Sequence, residues 1–179
     1  EYMSFLKTSS HEFVHTWNVK AYRPTGLNNY NYRSENYTDL LWISEGSTSY
    51  LSDLLLARSE VYSVKDYLSG LAVRFKNYEQ SPGADVMSAQ QGSFDAWINE
   101  RGHRGENDKV GIYNHGAVLS LLMDMKLIDD SGGDANYGDL HRLLYERFPV
   151  PDKGFSSADI LALMTELSGE DYQDLWQDY

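Results

Sequence analysis

The run His11-Glu12-Phe13-Val14-His15 sets two imidazoles four residues apart with a carboxylate between them. On an α-helix, side chains four apart share one face, so both rings can point at a single ion while Glu12 leans towards the same place. The motif therefore asks for a helix. Its flanks agree: between Met3 and Asn18 the apolar residues Phe5, Leu6, Phe13, Val14 and Trp17 recur at roughly helical spacing.

Most of the remaining chain also reads as helix. From Lys20 to Tyr37 the pattern gives way to Arg23-Pro24-Thr25-Gly26 and an Asn/Tyr-rich stretch, which predicts a long ordered loop. A second helix is expected from Thr38 through Ala57, with Gly46 inside it and Leu40, Leu41, Ile43, Tyr50, Leu51, Leu54 and Leu55 on its apolar face. A third starts at the capping box Ser63-Val64-Lys65-Asp66, carries the stripe Leu68, Leu71, Ala72 and Phe75, and stops at Ser81-Pro82-Gly83. Between Ala84 and Val110 only a short helix at Ser93 to Glu100 and a turn at Arg101-Gly102-His103-Arg104-Gly105 stand out. Gly111 to Ile128 is apolar almost all round, the mark of a helix through the middle of a core.

After a loop at Asp130 to Asp134, helices are expected at Tyr137 to Phe148, at Ser156 to Leu167 behind a second capping box, and at Glu170 to Trp176. No hairpin signal or repeat interrupts them. The expected fold is mainly α, with little or no sheet, as a single domain over residues 1–179.

The 179 residues are 41% hydrophobic and 13% aromatic, enough to bury one core. A formal charge of -12 argues against nucleic acid and against an anionic membrane surface as partners. With no cysteine, disulfides and thiolate metal sites are excluded, and any metal must be held by nitrogen and oxygen. No signal or transmembrane segment is legible, which leaves cytoplasm and periplasm equally open. The opening Glu1-Tyr2-Met3 and the end after Leu175 to Tyr179 suggest a piece of a longer chain.

The chemistry follows from the motif. Zinc on such a ligand pair lowers the pKa of a bound water to about 7, and Glu12 can take its proton as general base, which is peptide hydrolysis without a covalent intermediate. The competing reading is a helix that merely exposes these side chains. A catalytic zinc needs a third protein ligand, and no further histidine follows at a metzincin spacing, so the ligand should be an acid: Glu45 in Leu41-Trp42-Ile43-Ser44-Glu45-Gly46, or Glu35. Three nitrogen and oxygen ligands with one open position favour zinc over manganese or cobalt. Asn18 and Asp53 are either groups that orient a ligand or plain caps. His103 and His141 read as surface histidines, and Trp17 and Trp42 either wall the site or pack in the core.

His11 to Lys20, Glu35-Asn36-Tyr37-Thr38 and Leu41 to Tyr50 together resemble the glycyl aminopeptidase family of gluzincin metallopeptidases, related to the aminopeptidase N type. The resemblance runs through much of the first 57 residues. It implies a thermolysin-like helical catalytic domain, one Zn²⁺ per chain, and Glu45, not Glu35, as the third ligand beside His11 and His15. Tyr113-Asn114-His115-Gly116-Ala117 is similar to the Tyr-x-Lys-Gly-Ala segment of these enzymes. That likeness implies that Tyr113 stabilises the oxyanion, with His115 standing where lysine is usual. The implied activity is release of N-terminal small residues, glycine or alanine. The family's upstream β-rich region, with its Gly-Leu-Glu-type segment for the substrate ammonium, and its downstream PDZ-like domain have no counterpart in these residues. The expected partners are a peptide substrate and those domains of the same polypeptide. Two other functions remain open: a zinc endopeptidase, and a non-catalytic peptide-binding module derived from a peptidase.

Overall fold

The computed structural model describes residues 2–97 and 110–178. Helix α1 spans Tyr2–Val14. The His15 N–H still donates to the His11 carbonyl at 3.2 Å, and the chain then turns, a little before the expected end at Asn18. Val19, at φ 101°, marks the turn. The loop that follows holds one single-turn helix, α2 (Thr25–Asn28). Isolated bridges from Asn18 to Tyr22, Tyr22 to Pro149 and Pro24 to Phe155 tie it down, and no strand forms among the described residues.

The helix expected from Thr38 begins later and in another form. Trp42–Ser47 is a π-helical turn that runs directly into α3 (Thr48–Arg58). Such turns bond five residues back in place of four and cost stability, so they need external support. Asn18 supplies it. Fully buried, its Nδ2 donates to the carbonyls of Ile43 (2.9 Å) and Ser44 (3.2 Å) and lies 3.0 Å from Thr48 Oγ1. Trp42 and Ile43 bury their side chains beneath the turn.

Helix α4 (Val64–Glu79) is capped as expected, with Ser63 Oγ accepting from the Asp66 N–H. Its inward face is not the expected stripe: Leu68 is 56% exposed and Phe75 37%. Arg74 pairs with Asp53 of α3 at 2.7 Å, and the Tyr78 ring lies 4.2 Å from the His115 ring. These two directional contacts select the docking face over a stripe that counts only apolar residues. A 3₁₀ turn at Pro82–Asp85 and α5 (Ala89–Phe94) follow. The last three positions of the helix expected from Ser93 to Glu100, and the whole turn containing His103, lie outside the described residues.

Helix α6 (Ile112–Asp130) runs through the middle of the molecule, against the π-turn, α3, α4 and α5. Its Gly116 meets Gly46 backbone to backbone: a Cβ on Gly46 would stand 2.3 Å from Gly116 Cα. Helices α7 (Tyr137–Arg147) and α8 (Ser157–Ser168) open with capping boxes at Asn136/Asp139 and Ser156/Asp159, and α9 (Gln173–Asp178) completes the order. Leu127, Leu140, Leu144, Phe155, Ile160 and Met164 form the centre of the core.

His141 is not a surface residue. It is 6% exposed, its Nδ1 lies 2.7 Å from the Tyr22 hydroxyl, and its ring meets that of Tyr137 edge to face at 4.8 Å. Burial pushes its pKa down to about 3, so it is neutral in the fold. The moderate polarity of α7 hides this position, because Tyr137, His141 and Leu144 share the buried side of an otherwise charged helix.

Candidate metal centre

Helix α1 lies along α3, and the π-turn at the start of α3 carries Glu45 across to the motif. His11 Nε2 is 3.2 Å from Glu45 Oε2, His15 Nε2 is 3.3 Å from the same oxygen, and the two Nε2 atoms are 3.0 Å apart. Three donor atoms thus form a near-equilateral triangle. Ligands about 2.0–2.1 Å from a tetrahedral zinc stand about 3.3 Å from one another, so the donor set fits that ion. Among the described residues this is the one group of histidines and acids able to hold a metal, and Glu35 is not in it.

The far nitrogens of both rings are engaged, which fixes their orientation. His15 Nδ1 lies 3.0 Å from the Asn18 carbonyl oxygen, and His11 Nδ1 lies 3.4 Å from Ser49 Oγ. With each Nδ1 carrying the proton, each Nε2 presents its lone pair to the shared point. Burial alone would raise the pKa of Glu45, but hydrogen bonds to His11 and His15 outweigh it and hold the carboxylate at about 2. The hydrogen bond to Glu45 raises that of His15. The acid is therefore ionised while protonated Nε2 atoms face it, and a metal ion at the same point would take the place of those protons.

The triangle opens into a cavity of about 460 Å³, which Glu12 and Tyr113 also line. Tyr113 stands at the start of α6, half-exposed, with its ring centroid 6.0 Å from that of His11. Trp17 and Trp42 do not wall the cavity: Trp17 packs on Phe13 at 5.1 Å, and Trp42 is buried against Trp176 at 5.4 Å. Asn18 orients His15 through its backbone carbonyl while its side chain clamps the turn, and Asp53 pairs with Arg74 without touching an imidazole. His115 faces away from the triangle, buried beside Tyr78, and burial pushes its pKa down to about 4.

Among the residues that sequence reasoning passed over, Ser49, Lys7 and Arg74 line the same cavity. Two of them had a signal. Ser49 is one helical turn past Glu45 and Lys7 one turn before His11, so each shares a face with a ligand. Arg74 lies on another helix, and nothing local announces it.

The helical fold sets a His-His-Glu cluster, an adjacent glutamate and a tyrosine around one cavity. The chain belongs to the M61 glycyl aminopeptidase family, whose profile matches residues 4–119. It is similar to the solved structure of an aminopeptidase N family protein from Idiomarina loihiensis, with 28% identity, a TM-score of 0.91 and coverage of 99% of this chain. The chain spans 30% of that protein's length. No curated protein matches it. Among the described residues, no helix is long and apolar enough to cross a membrane.

Proposed function

We propose that residues 1–179 form one helical catalytic domain of a zinc-dependent aminopeptidase, which releases small N-terminal residues, glycine or alanine, from peptides. The observation that carries this reading is the triangle of His11 Nε2, His15 Nε2 and Glu45 Oε2, closed to 3.0–3.3 Å by a pair on one helix and a residue 30 positions further along the chain. One zinc ion held there supplies a Lewis acid that acidifies water and polarises a peptide carbonyl. Glu12 sits on the rim beside His11, exposed and lining the cavity, and takes the proton from the attacking water before returning it to the leaving amine. Tyr113, from the facing helix, donates its phenol hydroxyl to the carbonyl oxygen as that oxygen becomes anionic. The preference for small N-terminal residues is supported by the name of the family, glycyl aminopeptidase.

Elemental analysis and a chromogenic assay test this directly. About one zinc per chain is expected in the wild type and none in His15→Ala. Alanine p-nitroanilide should be cleaved by the zinc-loaded wild type and not by Glu12→Gln, which keeps its metal. A chain that takes up no zinc, or a Glu12→Gln variant as active as wild type, would sink the reading. Cleavage of N-acetylated peptides in place of free ones would replace the aminopeptidase with an endopeptidase.

A further inference from the structure

Tyr113, Asn114, His115 and Gly116 follow one another at the start of α6, and each residue of a helix is turned about 100° from the last, so the four face different neighbours. Tyr113 lines the cavity beside the His-His-Glu cluster. His115 lies against the Tyr78 ring of α4, and Gly116 against Gly46 of the π-turn. Asn114 is half-buried, and its Nδ2 donates to the Arg74 carbonyl oxygen at 3.0 Å. That acceptor belongs to the backbone in the interior of α4, so it is a fixed point and not the end of a flexible side chain.

Helix α4 is in turn tied to the segment that carries Glu45. Arg74 directs Nε and Nη2 at Asp53 Oδ2, 3.1 and 2.7 Å away, and Asp53 stands on α3, which continues the π-turn. Arg74 thus holds α3 by its side chain and α6 by its carbonyl. The opening of α6 needs such a hold. Its N-cap is Gly111, which offers no side chain to the first turn, and a first turn whose free N–H groups lack partners frays. Tyr113 stands in that turn.

We propose that Asn114 is a positioning residue for Tyr113: through the Arg74 carbonyl it sets where the tyrosine stands relative to Glu45 and the cavity. This rests on the aminopeptidase reading, in which the Tyr113 hydroxyl donates to the carbonyl oxygen as that oxygen becomes anionic. A shift of about 1 Å at a group that acts only in the transition state lowers kcat and leaves substrate binding as it was.

Asn114→Asp keeps the shape of the side chain, removes the donor and suits the first turn of a helix, where negative charge is favourable. Asn114→Ala removes the donor without adding charge. With alanine p-nitroanilide and zinc-loaded protein, both should lower kcat about 10- to 100-fold, with KM within about two-fold of wild type and zinc content unchanged. In a Tyr113→Phe background the same substitutions should change kcat by less than about two-fold, because the group they displace is gone. Zinc-free protein gives a readout in which no turnover enters. There the His115 amide, which donates to the Gly111 carbonyl at 2.8 Å, should exchange its hydrogen about ten-fold faster or more in both variants, while the amides of Leu119 to Met123 exchange as in wild type. A wild-type kcat, a loss equally large in the Tyr113→Phe background, or His115 exchange equal to wild type overturns the proposal. Should the wild type fail to cleave alanine p-nitroanilide, the aminopeptidase reading fails. The anchor is then judged by His115 exchange and by calorimetric affinity for a tetrahedral phosphonate dipeptide, which should fall about ten-fold in Asn114→Asp and stay level when Tyr113→Phe is already present.

Discussion

Gly46 and Gly116 touch backbone to backbone, and each occupies space that any Cβ would take from the other: a Cβ on Gly116 would stand 2.5 Å from the Trp42 carbonyl oxygen and 2.9 Å from Gly46 Cα. Glu45 is the residue beside this contact. The helix that crosses the core thereby fixes how far Glu45 reaches towards α1.

Gly116→Ala should separate α6 from the π-turn and cost about 2–3 kcal/mol or more, the scale of forced overpacking against rigid backbone. Urea unfolding measures the loss. Zinc affinity should fall in the same variant, because Glu45 moves with the turn; unchanged affinity would mean that the turn is held from the α1 side alone.

Asn18 reaches three acceptors of the turn with one amide group. Asn18→Ala leaves the Ile43 and Ser44 carbonyls without that donor in a buried place, at a cost of about 1–3 kcal/mol. Thermal denaturation of the zinc-free protein isolates this term from any effect on the metal.

Ser49 steadies His11 from behind. Ser49→Ala should keep the fold and weaken zinc binding by about 10-fold or more, the usual consequence of losing a partner to a ligand's far nitrogen. Competition with a chelator gives the number, and an affinity equal to wild type would show that the 3.4 Å contact does not orient the ring.

Acid should destabilise the protein before its carboxylates titrate. His115 and His141 have folded pKa values pushed down to about 4 and about 3 by burial, against about 6.5 unfolded. As pH falls through 6.5 the unfolded chain binds protons that the folded chain refuses, so stability drops with falling pH. Each histidine contributes up to about 1.4 kcal/mol per pH unit in that window. Unfolding free energies between pH 6 and 5, below the range in which the raised pKa of His15 acts in the opposite sense, should show the slope, and His115→Gln should remove about half of it.

Local pattern carried far in this chain. The helices α1, α6, α7 and α8 are legible because their apolar patterns, and for α8 the capping box Ser156/Asp159, agree with the tertiary structure. The face of α4 was not, since it is chosen by Arg74 meeting Asp53 and Tyr78 meeting His115, partners 21 and 37 positions away in sequence. The burial of His141 depends in the same way on Tyr22, across the molecule. At the site, His11, His15 and Glu45 stand in local motifs, and the structure brings all three together with Glu12 and Tyr113 around one cavity. Arg74 reaches the same cavity from α4, and no local pattern in the sequence ties that helix to the motif.

The π-turn makes the metal centre sensitive to chain length and not only to residue identity. Within Trp42–Ser47 one residue more is wound in than a regular helix would use over the same arc. Removing one serine from this segment would let it relax into ordinary α-helix, and hydrogen bonding would improve. Everything on one side of the cut would then be rotated by about 100° relative to the other, the angular step of one residue at 3.6 per turn. Glu45 or Ser49 would swing out of register with His11 although no side chain at the site had changed. The extra residue acts as a phase setting, and a better-formed helix here would be a blind one.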